Sequence, residues 1–296
     1  MKKLLLLSLV LFSGILNAQV DSLSIEEEVD EERYRQVLDS IHNSFSFEEG
    51  TIQLGQGIAT LQVPEGFRYL DGEQSNYVLT ELWGNPPQET MGLLLPIDSK
   101  ILGEDFTYAI EITYSEEGYI DDDDAQDIDY DDLLETMKSD TKEQNQYRKE
   151  MGYEAIEMVG WASKPFYDSK TKKLHWAKEL HFGGETENTL NYNIRILGRK
   201  GYLNMNAISF MEHLPLVQKN IDNIIASAEF TPGNRYSDFN PDIDEVAAYG
   251  VGGLIAGKIL AKTGFFALIL KFWKFIAIGA VGLFGAFRKK IFGSEK

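Results

Sequence analysis

The chain has 296 residues, a net charge of −19 at neutral pH and no cysteine. The absence of cysteine excludes disulfides, and the negative charge argues against nucleic acid as a partner. The charge is uneven, because residues 19–245 carry 18 basic and 46 acidic side chains, a net −28, whereas residues 246–296 carry +7. The sequence therefore predicts a strongly acidic domain followed by a basic C-terminal segment.

Residues 1–18 have the pattern of a cleavable secretory signal. Lys2 and Lys3 precede a leucine-rich run at 4–16, and Ala18 is a small residue at the expected cleavage point. A basic start, an apolar run of about 7–15 residues and a small residue at the cut are typical of such signals. The run is shorter than the ~20 residues that a membrane-spanning helix needs. We therefore expect export, with cleavage after Ala18.

Residues 19–230 are predicted to form the exported domain, with helices assigned from periodicity and strands from alternation and turn residues. In chain order, the predicted elements are a helix ending near 43, strands at 45–54 and 57–63, a helix at 71–82, strands at 91–97 and 106–114, a helix at 130–149, strands at 155–167, 174–182, 190–197 and 202–210, a helix at 216–225 and a strand at 230. Strand 106–114 alternates apolar and polar residues, which predicts one polar face toward solvent.

Consecutive hairpins favour an α+β fold, with a mainly antiparallel sheet, flanking helices and a C-terminal transmembrane helical segment. Residues 231–245 contain Pro232, Gly233 and Pro241, which is typical of a linker. Residues 246–291 are apolar and glycine-rich, as in a membrane anchor, and residues 292–296 form a short tail.

The anchor is interrupted by basic residues, and Thr263-Gly264 is a plausible break. One net crossing satisfies both the export signal and the preference of basic clusters for the cytoplasm. A two-helix hairpin and a buried apolar helical pair of a soluble protein are the alternatives. The basic residues expected to snorkel toward headgroups, to face a partner or to flank the anchor are Lys258, Lys262, Lys271, Lys274, Arg288, Lys289 and Lys290.

These features predict a protein of the bacterial inner membrane with its soluble domain in the periplasm. The expected partners are the lipid bilayer and an envelope protein, or a second copy through the membrane segment. Nucleic acid is not expected as a partner.

The sharpest local feature is an acidic run at 121–132. An EF-hand needs a glycine at its sixth position and an acidic residue at its twelfth, and no register of this run supplies both. A looser cation site at Asp127, Asp129 and Asp131 is one interpretation. The other is a solvated loop whose last aspartates cap the following helix.

A second candidate is Trp83, followed by Asn85 and Pro86. A tryptophan beside a rigid Pro-Pro turn could form a ligand or partner patch. Packing of the tryptophan in the core is the alternative and is commoner for this residue type.

Neither a G-x-S-x-G turn nor a phosphate loop or dinucleotide fingerprint is present. No catalytic residue and no cofactor are therefore assigned, and whether the chain is an enzyme is left open. The pattern favours a periplasm-facing binding or scaffold module. The alternatives are an envelope hydrolase that uses acidic residues and a Ca²⁺- or cation-responsive module.

Three stretches together resemble an uncharacterised bacterial family of predicted membrane-anchored proteins, a domain of unknown function. They lie at 160–180, 190–199 and 246–250, and include Trp176-Ala177-Lys178 and Asn191-Tyr192-Asn193-Ile194-Arg195. The resemblance implies an envelope protein with a C-terminal anchor and brings no ligand or reaction. More loosely, residues 63–67 and 191–230 are similar to Mog1/PsbP-like modules, which implies a binding or assembly role by analogy alone.

Overall fold

The computed structural model describes residues 20–85, 88–150, 154–183 and 186–257, and of residues 20–31 the backbone alone. Helix α1 (Val20–Asn43) belongs to a unit of its own, distinct from the body that begins at Phe45. Its described side chains are mostly exposed. The predicted exposed helix ending near residue 43 is confirmed.

The described part of the body contains ten strands in two antiparallel sheets. In chain order they are β1 (Thr51–Leu54), β2 (Ala59–Gln62), β3 (Phe67–Asp71), β4 (Gly92–Pro96), β5 (Ala109–Ser115), β6 (Ile156–Asp168), β7 (Lys173–Phe182), β8 (Thr189–Leu197), β9 (Tyr202–Phe210) and β10 (Ala228–Phe230). The small sheet has the order β1-β2-β10, and the large sheet has the order β3-β4-β5-β9-β8-β7-β6. Hairpins connect β1 to β2, β6 to β7 and β8 to β9, as the turn residues predicted.

Within the residues described, the sheets are accompanied by the helices α2 (Gly72–Tyr77), α3 (Tyr130–Glu150), α4 (Leu214–Ala226) and α5 (Val251–Ala256). The predicted start of α2 is confirmed, since Asp71 accepts a hydrogen bond from the Gln74 amide at 2.8 Å. Helix α2 continues as a π-helical turn at Val78–Leu82. The α+β class, with antiparallel sheets and flanking helices, is therefore as expected.

The main core lies between one face of the large sheet and a layer formed by the small sheet and α4. Tyr192 and Ile194 of β8 point into it, and Leu61 of the small sheet and Val217 of α4 meet them from the other side. Burial on this scale, at about 25 cal/mol per Å² of apolar surface, is the dominant stabilising contribution.

The opposite face of the large sheet carries two separate apolar clusters. Around β6–β9, Trp176 and Tyr202 pack with α3 and α5. Around β3–β5, Leu93 and Leu95 pack with the α2 region. The two clusters leave a strip of the sheet between them, and the side chains on that strip are polar.

Strand β5 differs from the expectation of a polar, solvated face. Ile110 and Ile112 face the main core, but Ala109 and Glu111 on the other side are also buried, at 4% and 9% exposure. The α2 region and its apolar cluster cover that side. Alternation along one strand cannot reveal what a distant element places over its polar face.

Residues 231–245, predicted as a linker, are packed on the body, and the packing extends to residue 257. Thr231 Oγ1 donates to the Gly57 carbonyl at 2.7 Å, and Phe239 stacks on Tyr119 at 3.9 Å. Arg199 pairs with Asp244 at 2.7 Å. In α5, Val251, Leu254 and Ile255 are buried. These residues therefore have partners that lie far away in sequence, whereas the predicted boundary between linker and anchor at residues 245 and 246 stays a prediction.

In the part of the chain that the structure describes, no helix is both long and apolar enough to cross a membrane. The predicted signal at 1–18 and the predicted anchor from residue 258 onward, with its break near Gly264 and its tail at 292–296, lie outside the described residues.

Candidate functional site

The polar side chains between the two apolar clusters form a continuous patch, here called the polar strip. They alternate with core residues along their strands, so that all project from the same face of the large sheet. The members of the polar strip are Glu111 and Thr113 on β5, Lys178 on β7, Asn191, Asn193 and Arg195 on β8, and Asn204 and Asn206 on β9.

The strand register places these side chains in rows across the sheet. Asn193 pairs with Asn206, and Asn206 with Glu111, in one row. Arg195 pairs with Asn204 in the next row, and Lys178 pairs with Asn191 in the row on the other side. The two cations therefore flank the central row of amides from opposite ends.

Arg195 is held by rings and by a directed hydrogen-bond chain. Its guanidinium lies 5.1 Å from the centre of the Trp176 ring and 5.5 Å from that of Tyr202. Its Nη1 donates to Asn204 Oδ1, and Asn204 Nδ2 in turn donates to Thr113 Oγ1 at 3.1 Å. Burial lowers the pKa of Arg195 to about 10, where it is still charged at neutral pH.

Lys178 has no hydrogen bond or ion pair within the described residues. Burial, and secondarily the charge of Arg195, lower the pKa of Lys178 to about 8. Lys178 is half-buried, and water still reaches its ammonium. The polar strip thus contains a half-buried cation without a described counter-charge.

Several buried polar atoms around the strip also lack partners within the described chain. They are Arg195 Nε, Asn206 Oδ1, Trp176 Nε1 and Tyr249 Oη. Each such atom costs about 1–3 kcal/mol when it stays unpaired, and native proteins keep few of them. Because these atoms have almost no exposed surface, they are a cost of packing beneath the strip and not groups open to a ligand.

Glu111 is the acidic member of the strip. Its Oε1 accepts a hydrogen bond from Gln88 Nε2 at 2.6 Å. Burial raises the pKa of Glu111, and the bond from Gln88 opposes that rise. Among the described residues no second carboxylate is hydrogen-bonded to it, so the strip does not present a pair of carboxyl groups.

One end of the strip is open and apolar. Ile208 and Phe210 continue the polar face of β9 beyond Asn206, and they are 47% and 46% exposed. Ile208 lies in the same row as Asn191 and Lys178. The strip therefore joins a half-buried cation, Lys178, to an exposed apolar surface.

A cavity of about 530 Å³ between α3 and the β6–β7 pair lies apart from the strip. Asn145 binds the backbone of Ile156 in both directions, at 2.7 and 2.8 Å. His181 Nδ1 lies 2.9 Å from Asn188 Oδ1. Two of the polar groups that line this cavity therefore have partners within the described chain.

The predicted Trp83 patch is mostly a packing feature. Trp83 Nε1 donates to the Ile101 carbonyl at 3.1 Å, and the indole meets the Phe106 ring edge to face at 5.4 Å. Asn85 is exposed and its amide donates to Leu79 O at 2.8 Å. Pro86 lies outside the described residues. Trp83 thus packs, partly buried, against the β3–β5 apolar cluster, and a binding role of Trp83, Asn85 and Pro86 stays a prediction.

The candidate cation ligands do not converge. Asp129 caps α3, accepting from the amides of Asp131 and Asp132 at 2.9 and 3.1 Å, and Asp131 pairs with Lys164 at 2.8 Å. Asp127 is exposed. No group of three or more potential metal ligands occurs within the described ranges.

The same acidic run instead holds the C-terminal part of the body. Asp122 accepts hydrogen bonds at 2.7 Å from Lys172, Tyr167 and Tyr236. Burial opposes ionisation of Asp122, but these three donors prevail and lower its pKa. Asp124 accepts from the amides of Val251 and Gly252 at 2.8 and 3.0 Å, and so caps α5.

The seven basic residues assigned to the membrane segment lie outside the described residues, and their predicted role remains a prediction. They are Lys258, Lys262, Lys271, Lys274, Arg288, Lys289 and Lys290.

Sequence reasoning did not assign the polar strip as a site. A signal was present: Asn191, Asn193 and Arg195 alternate with apolar residues, and Asn204 and Asn206 do the same on the next strand. Such alternation is read by default as a solvated sheet face. The apolar clusters on both sides of the strip are formed by distant elements, and they leave this face partly buried.

Fold and site together define an α+β protein whose large antiparallel sheet carries a polar strip on one face. The chain belongs to the family described as "Protein of unknown function (DUF2167)", whose model matches residues 46–285. This agrees with the resemblance to a domain of unknown function found in the sequence. No curated protein matches the chain.

Two solved structures are similar to parts of the chain. Cyanobacterial PsbP (CyanoP) from Synechocystis sp. PCC 6803 is 10% identical over 63% of this chain and 93% of its own, with a TM-score of 0.36. The Saccharomyces cerevisiae Ran-binding protein Mog1p is 10% identical over 66% of this chain and 100% of its own, with a TM-score of 0.35. These likenesses agree with the loose Mog1/PsbP-like resemblance, and at such TM-scores they support no functional argument.

Proposed function

We propose that the protein is a membrane-anchored binding or scaffold module of the bacterial cell envelope, with the polar strip as its binding surface. The domain faces the periplasm, and the segment after residue 257 holds it in the inner membrane. The observation that carries the binding role is the exposed apolar pair Ile208 and Phe210, which continues the strip on β9. Ile208 lies in the same row as Lys178, a half-buried cation without a described counter-charge.

The hydrolase alternative is less well supported. Carboxylate catalysis needs two acids placed on either side of a reacting bond, and the described surroundings of Glu111 supply one. The cation-responsive alternative lacks a described cluster of ligands. A binding role needs neither arrangement.

Site-specific photo-crosslinking in cells tests the binding role. A photoreactive residue replaces Ile208, which is 47% exposed beside the strip, or Leu216, which is 37% exposed on α4. We expect position 208 to give a defined adduct and position 216 to give none of the same mass. Equal labelling at both positions, or no adduct at position 208, would refute the strip as a binding surface.

The proposed membrane topology is tested separately by reporter fusions. Because the body packs as far as residue 257, the first fusion is placed after Gly257 rather than inside the predicted linker, and the second after Lys296. A periplasmic reporter at Gly257 and a cytoplasmic reporter at Lys296 are expected. Two reporters on one side would contradict a single crossing.

A further inference from the structure

We propose that residues 246–257, here called the covering segment, form a reversible cover over the aromatic side chains beside Arg195. The segment opens as a unit while the rest of the body stays folded. Opening brings Trp176 and Tyr202 into contact with solvent at the end of the polar strip where Arg195 and Asn204 are paired. This inference concerns access to that end of the strip and does not depend on what the strip binds.

The covering segment hides the rings that hold Arg195. The three buried apolar side chains of α5 are at most 3% exposed, and they pack in the same cluster as Trp176 and Tyr202. These two rings lie 5.1 and 5.5 Å from the guanidinium of Arg195. Burial raises the pKa of Tyr249, and the nearby charge of Arg195 opposes that rise, so Tyr249 lies beside the same groups. The segment therefore closes this end of the strip.

The described hydrogen bonds from the covering segment to the rest of the body go to one loop. The Ala247 amide donates to the Tyr119 carbonyl at 2.8 Å, and Asp124 accepts from the amides of Val251 and Gly252 at 2.8 and 3.0 Å. Among the described residues, no hydrogen bond joins the segment to a strand of the large sheet. Its contact with the sheet is apolar, so that it separates without breaking a strand pair.

The closed arrangement carries a cost that favours opening. Trp176 Nε1, Arg195 Nε and Tyr249 Oη are buried at or next to this contact, and they have no hydrogen-bond partner within the described chain. A polar atom buried in this way loses its hydrogen bonds to water, and these are regained when the segment separates. The glycines at 250, 252, 253 and 257 also gain more backbone entropy on release than other residues would. We therefore expect local opening at a lower free energy than global unfolding.

Thiol labelling measures this opening, because the natural chain contains no cysteine. Val251→Cys places one thiol in α5, and the control Val217→Cys places one in the main core; both valines are 0% exposed. Each full-length protein is treated with a thiol reagent in a non-ionic detergent, and its rate is divided by the rate in urea. We expect the thiol of Val251→Cys to react at least about a hundredfold faster than that of Val217→Cys.

A second substitution tests whether packing of α5 sets this rate. Leu254→Ala, added to Val251→Cys, should raise the labelling rate at least about tenfold, because it removes apolar contacts of α5. Leu95→Ala makes the same change at a fully buried leucine of the β3–β5 cluster and should leave the rate unchanged. If Leu254→Ala does not fold, Asp124→Ala takes its place and should raise the rate about fivefold or more, since it removes both capping hydrogen bonds.

Hydroxyl-radical footprinting tests what the opening uncovers. In Leu254→Ala, oxidation of Trp176 and Tyr202 should rise at least about fivefold over that of the wild type, whereas oxidation of Tyr108, which is 0% exposed in the main core, should not change. Equal labelling of the two thiols, or equal acceleration by Leu254→Ala and Leu95→Ala, would show that α5 opens only with the whole body and would overturn the inference. Unchanged oxidation of both rings would overturn it as well.

Discussion

Asp124 should control the docking of α5, the last described element before the segment predicted to be the anchor. Its two carboxylate oxygens accept from Val251 and Gly252 separately, at 2.8 and 3.0 Å. Asp124→Ala removes both acceptors and leaves two amides at the start of the helix without a described partner. The apolar side chains of α5, such as Leu254, remain able to pack. We therefore expect loosening of α5 rather than loss of the fold.

The magnitude follows from capping energetics. Loss of a capping acceptor costs about 0.5–2 kcal/mol, and Asp124 is solvent-exposed, which keeps the effect within this range. A change of 1–2 kcal/mol in local opening corresponds to about a 5–30-fold rise in amide exchange. Asp124→Asn keeps one acceptor oxygen and should give a smaller rise.

Hydrogen–deuterium exchange with mass spectrometry measures this effect on peptides that cover residues 247–257. The matched control is Asp123→Ala, which removes a neighbouring exposed carboxylate while leaving the Asp124 cap in place. If exchange in this region does not rise in Asp124→Ala, or rises equally in Asp123→Ala, the carboxylate does not hold α5 and the reasoning is refuted.

Three further predictions concern the rest of the body. Asp122→Asn should lower stability at pH 7 by about 1–2 kcal/mol, because it removes the charge that pairs with Lys172 at 2.7 Å. The pKa of Asp122 is lowered in the folded state, so its contribution to folding stability is present above the unfolded pKa of about 3.9 and is lost as the pH falls through the folded pKa. The free energies of unfolding of wild type and Asp122→Asn, measured by urea titration, should therefore converge in acid. A difference that stays constant with pH would contradict the assignment. Trp83→Ala should lower the free energy of unfolding in urea by about 2 kcal/mol or more, since it removes the indole from its contacts with Phe106 and Ile101. The control Phe166→Ala, at a residue that is 59% exposed, should lower it much less. The reverse order would favour Trp83 as part of a surface patch. Gly201→Ala should lower the melting temperature strongly, because φ is +150° and a Cβ would collide with the Ser115 carbonyl. The control Gly160→Ala should have little effect, because a Cβ there meets open space. Similar melting temperatures for the two variants would contradict the described backbone at Gly201.

The residues of the polar strip show what the pattern of a single strand can predict and what it cannot. Asn193 and Arg195 were visible as alternating residues of a strand, and they lie in a stretch that carries the family resemblance. Their neighbours across the sheet, Asn206 and Lys178, come from other strands at positions set by the register. Because register depends on pairing between strands and on what covers each face, the strip could not be assembled from one strand at a time.

The acidic run is a second case. Its composition predicted a capped helix, and Asp129 does cap α3. Asp122 and Asp124, however, bind Tyr236 and Val251, which lie more than a hundred residues further along the chain. Nothing in the local spacing distinguishes these two aspartates from their solvated neighbours, since the donors arrive only through tertiary folding.

The sequence by itself determined the acidic charge of the domain, the order of helices and strands, the hairpins and the α+β class. These properties depend on composition, periodicity and turn residues, which act over a few positions. The tertiary structure decided that both faces of β5 are buried, that residues 231–257 pack on the body and that a strip of cations and amides lies between two apolar clusters. Each of these depends on contacts between residues far apart in the chain, where burial and pairing override local preference.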